Sequence, residues 1–379
     1  MKTFILIILI IIILFIVYKF YKESIAEKSY LNIEDFKLHS EVPDCMTLSN
    51  NSESLFVLSN NENITIGEIK KIQKNYQEKI KNSKLSSDFV NDFFIEKKDE
   101  LHRFCVTRLS KTENTKSCIY IPGNNDYFYN KKMANQLHKK GYNFFAISLP
   151  NYGFVSNVND VNYSTFASIP NLYKYIDFIV NYYQLKQIDI LFGHSTGGLI
   201  ATCYAEYKNR ETNFVKRLVL SSPLFDWYGD PSPKSYLDKE EFLDNVITPL
   251  GLIISKVNIK SSNGTPNLTT CEEFNELNFN PKYKSLIEIK TYPQWIRACT
   301  LQMKKIQNGK INVKCKVDIL CSDKSVYWKY TTVADNTLDV SEIVMYSKKI
   351  TNDFNIHIVK DSVHTTFLRV NDITGLLHI

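Results

Sequence analysis

The chain has 379 residues, of which 44% are hydrophobic and 23% are charged, and these values are ordinary for a globular protein. That length suffices for one large α/β domain with an insertion, or for two smaller domains. The net charge of +6 is spread along the chain, and the sequence has no basic stripe with interleaved aromatic residues, which argues against nucleic-acid binding.

The N-terminal segment is strongly apolar. Residues 4–18 form an uninterrupted apolar run, which reaches the lower end of the roughly 17–25 residues that a membrane helix needs when it is extended to Phe20. We therefore predict that residues 1–22 are a single-pass transmembrane anchor, with the membrane as a partner. A cleavable signal peptide is the alternative interpretation, with Ser24 and Ala26 as the only small residues for a cleavage site. The side of the membrane is left open, because lysines after the run and five N-glycosylation sequons favour opposite sides.

Residues 23–87 are polar and rich in Lys and Asn, with one candidate helix at 66–81, and we interpret them as a stalk or an accessory helical segment. From about residue 88, strands and helices alternate. A hairpin is predicted from strands 93–95 and 103–109, followed by strands at 117–121, 143–149, 188–192, 217–220, 317–321 and 355–359. Helices are predicted at 131–140, 172–183, 199–207, 295–306 and 340–349. This alternation predicts a mostly parallel central sheet with helices on both faces.

The segment at about 224–310 breaks the alternation, because it is rich in loops and aromatic residues, with helical pieces near 239–246 and 295–306. It is too long for a connecting loop. We therefore predict that residues 88–379 form one α/β domain with a cap insertion over the sheet.

The sequence indicates neither a cofactor nor a metal. None of the eight cysteines forms a C-x-x-C pair or has zinc-finger spacing, and the chain has neither H-E-x-x-H nor a phosphate-binding P-loop. Cys118, Cys203 and Cys321 fall in predicted core elements, which favours buried free thiols. The even count is also compatible with a disulfide framework.

Residues 193–197 read Gly-His-Ser-Thr-Gly, the pattern G-x-S-x-G. An apolar strand at 188–192 comes directly before them and a helix opens directly after them, which is the arrangement of a nucleophile elbow. The tight turn forces strained backbone angles on Ser195, and the flanking glycines leave room for neighbouring backbone. Ser195 is therefore the candidate nucleophile.

A serine is a weak nucleophile without a base, and in a fold of this kind the base follows the last strand. His364 lies just after the strand ending at Val359, whereas His357 falls within that strand and His378 is two residues from the end. His364 is therefore the candidate base.

The acid that orients the base should follow the strand at 317–321, in the chain order Ser, Asp, His. Asp323, Asp335 and Asp339 are the candidates there, and Asp339 also has the position of a helix N-cap. Position alone does not decide between Asp323 and Asp335.

The oxyanion hole requires two backbone N–H groups. One is expected from Thr196, at the start of the helix after the serine. The loop after strand 117–121 should supply the other, and there Gly123 permits close approach, so the N–H of Asn124 is the natural donor.

These residues resemble the lysophospholipase or monoacylglycerol-lipase-like branch of the α/β-hydrolases, often labelled serine aminopeptidase-like. The resemblance runs from about residue 85 to 367. Residues 123–128 resemble the branch's oxyanion loop, although Pro122 stands where its members usually carry His, and residues 193–198 match its elbow. Residues 335–340 resemble its acid loop, in which the first Asp is catalytic. The resemblance implies the α/β-hydrolase fold and hydrolysis of carboxylic esters, with Asp335 as the acid and Asp323 as the second choice.

The sequence therefore predicts a membrane-anchored serine hydrolase that cleaves carboxylic esters, acyl or lipid-like, through Ser195, Asp335 and His364 and an acyl-enzyme. Two alternatives remain. One is a catalytically inactive pseudo-hydrolase that acts as a binding protein, and Pro122 and the short C-terminus favour it. The other is a peptidase or amidase that uses the same three residues.

Overall fold

The computed structural model describes residues 36–39, 89–96, 99–110, 113–156, 163–227, 279–280, 283–285, 289, 291–327 and 331–379. The predicted anchor at 1–22, the predicted helix at 66–81 and the helical piece at 239–246 lie outside the described residues.

The described ranges contain nine strands that form one sheet. They are β1 (Phe36–His39), β2 (Phe89–Glu96), β3 (Asp99–Leu109), β4 (Lys116–Ile121), β5 (Tyr142–Ser148), β6 (Ile190–His194), β7 (Arg217–Ser221), β8 (Lys316–Ser322) and β9 (Phe354–Val359). Their order across the sheet is β1-β2-β3-β5-β4-β6-β7-β8-β9. Strands β1, β2 and β3 are antiparallel to their neighbours, whereas the pairs from β5 to β9 are all parallel. The predicted, mostly parallel α/β sheet is thus confirmed.

Six α-helices are described: α1 (Lys131–Lys139), α2 (Tyr173–Tyr182), α3 (Thr196–Lys208), α4 (Pro293–Gln307), α5 (Val340–Ile350) and α6 (Ile373–Leu376). Side chains of α2, α3, α4 and α5 pack on one face of the sheet, against residues such as Ile119, Leu191 and Ile319. Side chains of α1 and the C-terminal segment pack on the other face, against residues such as Tyr120 and Phe192. Because successive strand residues point to opposite faces, one run such as 118–121 supplies both cores.

The central strands are buried from end to end, which explains their continuous apolar sequences. All residues of β5 and β6 are buried. Strands covered by helices on both faces need apolar residues at every position rather than at alternate ones. In β9, at the edge, no residue is fully buried, and Ile358 is 54% exposed.

The C-terminal segment is short but well packed. Phe367, Ile373 and Leu377 are buried in the core beside α1. The side chain of Gln136 donates to the carbonyl of Asn371 at 2.7 Å and accepts from the backbone N–H of Ile373 at 3.2 Å. These contacts hold the chain that follows His364 against the body of the domain.

The structure contradicts the predicted membrane localisation. The predicted anchor lies outside the described residues, and among the helices that are described none is long and apolar enough to cross a membrane. The longest of them, α4, has 15 residues, whereas a spanning helix needs about 20 apolar ones. The single-pass localisation and the membrane as a partner are therefore withdrawn.

The six described cysteines, Cys105, Cys118, Cys203, Cys299, Cys315 and Cys321, are all free thiols. Five are buried and Cys315 is half-buried. Burial raises the pKa of Cys203 and Cys321 to about 12. Thiols held in this state are poor nucleophiles. Cys45 and Cys271 lie outside the described residues.

Candidate active site

Ser195 occupies a sharp turn between β6 and α3. Its backbone has φ 52° and ψ −120°, a conformation that is strained for a residue with a side chain. The turn is held by hydrogen bonds on both sides. The N–H of Ser195 donates to the carbonyl of Ser221 at 3.0 Å, and its own carbonyl accepts from the N–H groups of Gly198 and Leu224 at 2.9 and 3.0 Å. Ser195 itself is 9% exposed.

The glycines around Ser195 are required by close backbone approach. A Cβ atom on Gly193 would lie less than 3.0 Å from the carbonyl oxygen of Gly197. A Cβ atom on Gly197 would lie less than 3.0 Å from the carbonyl oxygens of Ile121 and Pro122. No side chain fits in these places, so α3 can begin directly beneath the end of β4.

Asp335 and His364 form a buried pair. Nδ1 of His364 lies 3.0 Å from Oδ2 and 3.2 Å from Oδ1 of Asp335. Asp335 is fully buried and His364 is 4% exposed. Because a carboxylate only accepts, Nδ1 must carry the proton in this contact, which leaves Nε2 of a neutral His364 as an acceptor.

Backbone groups fix the Asp335 carboxylate. Its Oδ1 accepts from the N–H groups of Thr337 and Leu338 at 2.8 and 2.9 Å. The backbone of Asp335 pairs with the chain after β8, since its N–H donates to the carbonyl of Lys324 at 3.0 Å and its carbonyl accepts from the N–H of Val326 at 2.8 Å. The long loop between Cys321 and Asp335 thus returns to the end of β8.

Asp323, the competing candidate for the acid, has different contacts. Its Oδ1 accepts from the N–H of Asp361 at 2.8 Å. Its Oδ2 lies 3.9 Å from Nζ of Lys324, and its side chain is 26% exposed. Asp339 is the N-cap of α5, where its side chain accepts from the N–H of Ser341. Of the three aspartates, Asp335 is the one in contact with His364.

The loop that carries His364 is tied to the turn that carries Ser195. The rings of His194 and His364 lie 5.0 Å apart between centroids. The hydroxyl groups of Ser222, next to β7, and Thr366 are 2.8 Å apart. The hydroxyl of Ser322, at the end of β8, donates to the carbonyl of Ser362 at 2.7 Å. All these contacts lie at the carboxyl ends of the parallel strands, where α/β sheets place their sites.

His194 is a buried, neutral neighbour of this pair. Burial, reinforced by the imidazole of His364, lowers the pKa of His194 well below its ordinary value. Its Nδ1 lies 3.1 Å from the carbonyl oxygen of Ser221. Since a carbonyl only accepts, Nδ1 donates there, and the ring supports the serine turn without carrying a charge.

The predicted oxyanion residues flank Ser195. A Cβ atom on Gly123 would lie 3.0 Å from Cβ of Ser195, so the loop after β4 passes directly beside the serine. Asn124 follows, and its side-chain oxygen accepts hydrogen bonds from the hydroxyl groups of Ser164 and Tyr152. Thr196 is the first residue of α3, and N–H groups in the first turn of a helix have no partner within the helix.

Residues near 280–285 hold this loop, and no pattern in the sequence predicted those contacts. The side chain of Asn125, which has φ 52°, donates to the carbonyl of Ser285 at 3.0 Å and accepts from its N–H at 2.8 Å. The hydroxyl of Tyr127 accepts from the N–H of Asn280 at 2.6 Å. Asn125 and Tyr127 therefore contact residues 280 and 285, and a third residue of the same loop, Asp126, makes an ion pair with Lys284.

That ion pair joins Asp126 to Lys284, with Oδ1 and Nζ 3.0 Å apart and both side chains buried. Nζ of Lys284 also donates to the hydroxyl of Tyr129 at 3.0 Å and lies 5.0 Å from the centre of its ring. Burial raises the pKa of Asp126, while the Lys284 charge opposes that shift. An Asp in the loop and a Lys in an aromatic segment 158 residues away give no sequence signal of pairing.

A family model described as alpha/beta hydrolase fold matches residues 121–247, the part of the chain that contains the serine turn. The chain is similar in structure to the monoacylglycerol lipase of Paleococcus ferrophilus, with 19% sequence identity and a TM-score of 0.50, over 67% of this chain and 89% of that one. It is also similar to a soluble variant of the monoglyceride lipase of Saccharomyces cerevisiae in complex with a substrate analogue, with 15% identity and a TM-score of 0.53, over 73% of this chain and 92% of that one. No curated protein matches the sequence.

At such low identities the two structures show a shared fold and nothing finer. This shared fold agrees with the family match at residues 121–247, which contain the serine turn. The resemblance predicted from the sequence is confirmed at this level: the chain has the α/β-hydrolase fold.

Proposed function

We propose that the protein is a serine hydrolase that cleaves carboxylic esters, with Ser195, His364 and Asp335 as its catalytic residues. The observation that carries this proposal is the buried contact between Nδ1 of His364 and Asp335, 3.0 Å long, on a loop joined to the strained Ser195 turn. A histidine in that tautomer has Nε2 available to take a proton from a hydroxyl group.

The proposed reaction has two stages. In the first, His364 accepts the proton of Ser195 as its Oγ attacks the ester carbonyl, and the backbone N–H groups of Asn124 and Thr196 stabilise the oxyanion. His364 then donates the proton to the departing alcohol, which leaves an acyl-enzyme. In the second stage His364 takes a proton from water, which attacks the acyl-enzyme and releases the acid, and the proton returns to Ser195.

We propose a lipid-like ester, such as a monoacylglycerol or a lysophospholipid, as the substrate. The two structures named above are lipases of monoacylglycerols by their own description, and the oxyanion loop and acid loop resemble that branch in sequence. We also propose that residues 88–379 form one domain, in which the segment at about 224–310 is a cap. The contacts of Tyr127 and Asp126 with residues 279–285 support this proposal.

The proposal is tested by turnover of a graded series of acyl esters of different chain lengths, together with the matching aminoacyl amides. We expect wild-type protein to cleave esters, and Ser195→Ala and His364→Ala to lose at least about 10³-fold in kcat. A Thr365→Ala variant, altered next to His364, is the matched control and should retain activity. Faster cleavage of the amides would favour a peptidase or amidase. A folded wild-type protein that cleaves neither class would favour the inactive, substrate-binding alternative.

A further inference from the structure

The ion pair between Asp126 and Lys284 involves the loop at 123–129 that follows β4, but it has no part in the mechanism proposed above. Lys284 belongs to the insertion, and its exposed fraction is 4%, against 2% for Asp126. Removing two charges from water is costly, and an apolar pair of similar volume would often stabilise a fold equally well. Stability alone is therefore a poor reason for this pair.

The pair instead defines the position of the loop at 123–129. Nζ of Lys284 donates to Asp126 and to the hydroxyl of Tyr129, both at 3.0 Å, so a single ammonium group contacts two side chains of that loop. The adjacent pairing of the Asn125 side chain with the backbone of Ser285 adds two further hydrogen bonds. A charge-assisted contact is stronger than a neutral one, so the contact of Lys284 with Asp126 is a strong attachment of this loop.

The position of this loop matters because it carries the oxyanion donor. A Cβ atom on Gly123 would lie 3.0 Å from Cβ of Ser195, and Asn124, two residues before Asp126, supplies the proposed N–H donor. Oxyanion donors act only when they lie at hydrogen-bond distance from the developing charge, and a displacement of about 1 Å can cost on the order of 10²-fold in rate.

We propose that Lys284, acting through Asp126, is a positioning residue that holds the oxyanion loop in its catalytic place. Lys284 thereby contributes to the chemical step from outside the loop that it holds. This inference rests on the proposed esterase function and extends it to a residue outside the catalytic three.

The test compares kcat and KM for one short-chain ester among wild type, Lys284→Met and Lys284→Arg, with thermal unfolding of each protein. We expect Lys284→Met to lower kcat about 100-fold, as for the loss of one oxyanion donor, with KM changed less than about 3-fold. Lys284→Arg keeps the charge and should recover at least about 10-fold of that loss. A loss that appears mainly in KM would overturn the proposal, because it would indicate a role in substrate binding.

The matched control is Arg217→Met. Arg217 pairs with the buried Asp318 at 2.6 Å. It lies at the amino end of β7, whereas Ser195 follows the carboxyl end of the neighbouring strand β6. This variant also removes a cation from a buried carboxylate, although Asp318 keeps its contacts with His357 and Asn355, so it reports the effect of destabilisation alone. An equal fall in kcat in Arg217→Met and Lys284→Met would overturn the proposal.

If Lys284→Met does not fold, the double variant Asp126→Asn/Lys284→Met removes both charges and is measured in its place. We expect its kcat to remain about 100-fold below wild type, and a wild-type kcat would overturn the inference. Covalent labelling by a fluorophosphonate distinguishes a failure of the proposed function from a failure of the proposed role of Lys284. A folded wild type that is not labelled contradicts the proposed function, whereas equally fast labelling of wild type and Lys284→Met contradicts only the role of Lys284.

Discussion

Replacement of Asp335 by asparagine tests the proposed acid with little change in shape. Oδ1 of Asp335 accepts from two backbone N–H groups, those of Thr337 and Leu338, so the amide oxygen of an asparagine must take that place. The amide NH₂ then takes the place of Oδ2, 3.0 Å from Nδ1 of His364. Because NH₂ only donates, Nδ1 must become the acceptor, and the proton moves to Nε2.

The consequence is a base in the wrong tautomer. With Nε2 protonated, His364 cannot take the proton of Ser195, although every hydrogen bond around residue 335 is still made. We therefore expect Asp335→Asn to fold with nearly the thermal stability of wild type. We expect kcat to fall about 10⁴-fold, which corresponds to about 5 kcal/mol of transition-state stabilisation.

The assay is steady-state hydrolysis of a short-chain acyl ester, run beside thermal unfolding, with Asp323→Asn as the matched control. Asp323 accepts from the N–H of Asp361 and has an exposed side chain, so its replacement should change kcat less than about 3-fold. A folded Asp335→Asn with more than a tenth of wild-type kcat would refute the assignment, and a larger loss in Asp323→Asn would transfer the role to Asp323.

Two further predictions concern the turn around the serine. Gly197→Ala should abolish folding or activity, because its Cβ would overlap the carbonyl oxygens of Ile121 and Pro122. The control is Gly309→Ala, where φ is +65° but no atom lies within 4 Å, and it should cost only about 1 kcal/mol in the free energy of unfolding. Equal melting temperatures for the two variants would contradict this reasoning. His194 stays neutral in the folded protein, since burial lowers its pKa well below 6.5, while the unfolded chain gains a proton as the pH falls through 6.5. The free energy of unfolding should therefore decrease below pH 6.5 by up to about 1.4 kcal/mol per pH unit from this group, and denaturant titrations of His194→Asn should show a weaker dependence; an unchanged slope would contradict the assignment.

The sequence predicted the fold best where adjacent motifs follow one another along the chain in a fixed order. The apolar strand, the Gly-His-Ser-Thr-Gly turn and the following helix predict one another, and the structure has β6 ending at His194 and α3 beginning at Thr196. The predicted start of that helix, at 199, was three residues late. Threonine and glycine have low helix propensity, but the close packing of Gly197 against β4 makes Thr196, Gly197 and Gly198 the first turn of the helix.

Other features depend on tertiary contacts that no local pattern encodes. Strand β1 lies in the segment that we interpreted as a stalk or helical extension, and its four residues are too few to show a period without their partner β2. The choice between Asp323 and Asp335 depends on the fold of the connecting loop, which returns to β8 through the backbone of residues 324–326. Only the family resemblance favoured Asp335 in advance.

The anchoring of the loop at 123–129 shows the same limit. The pairing of Asp126 with Lys284 spans 158 residues, and the sequence around Lys284 has neither a turn signal nor a period that points to the loop. The burial of this ion pair is also not visible in the sequence, and the same ion pair on the surface would contribute little to stability. The prediction of a membrane anchor was wrong, and it rested only on the length and hydropathy of one apolar run.

The central claim is that Ser195 is an activated nucleophile, and covalent labelling tests it most directly. Wild-type protein and Ser195→Ala are treated with a fluorophosphonate, and the modified peptide is located by mass spectrometry. We expect one adduct, on Ser195, that is absent from the variant and forms at least about 10²-fold more slowly in Asp335→Asn. A folded wild-type protein that remains unlabelled, or an adduct on any other residue, would contradict the account.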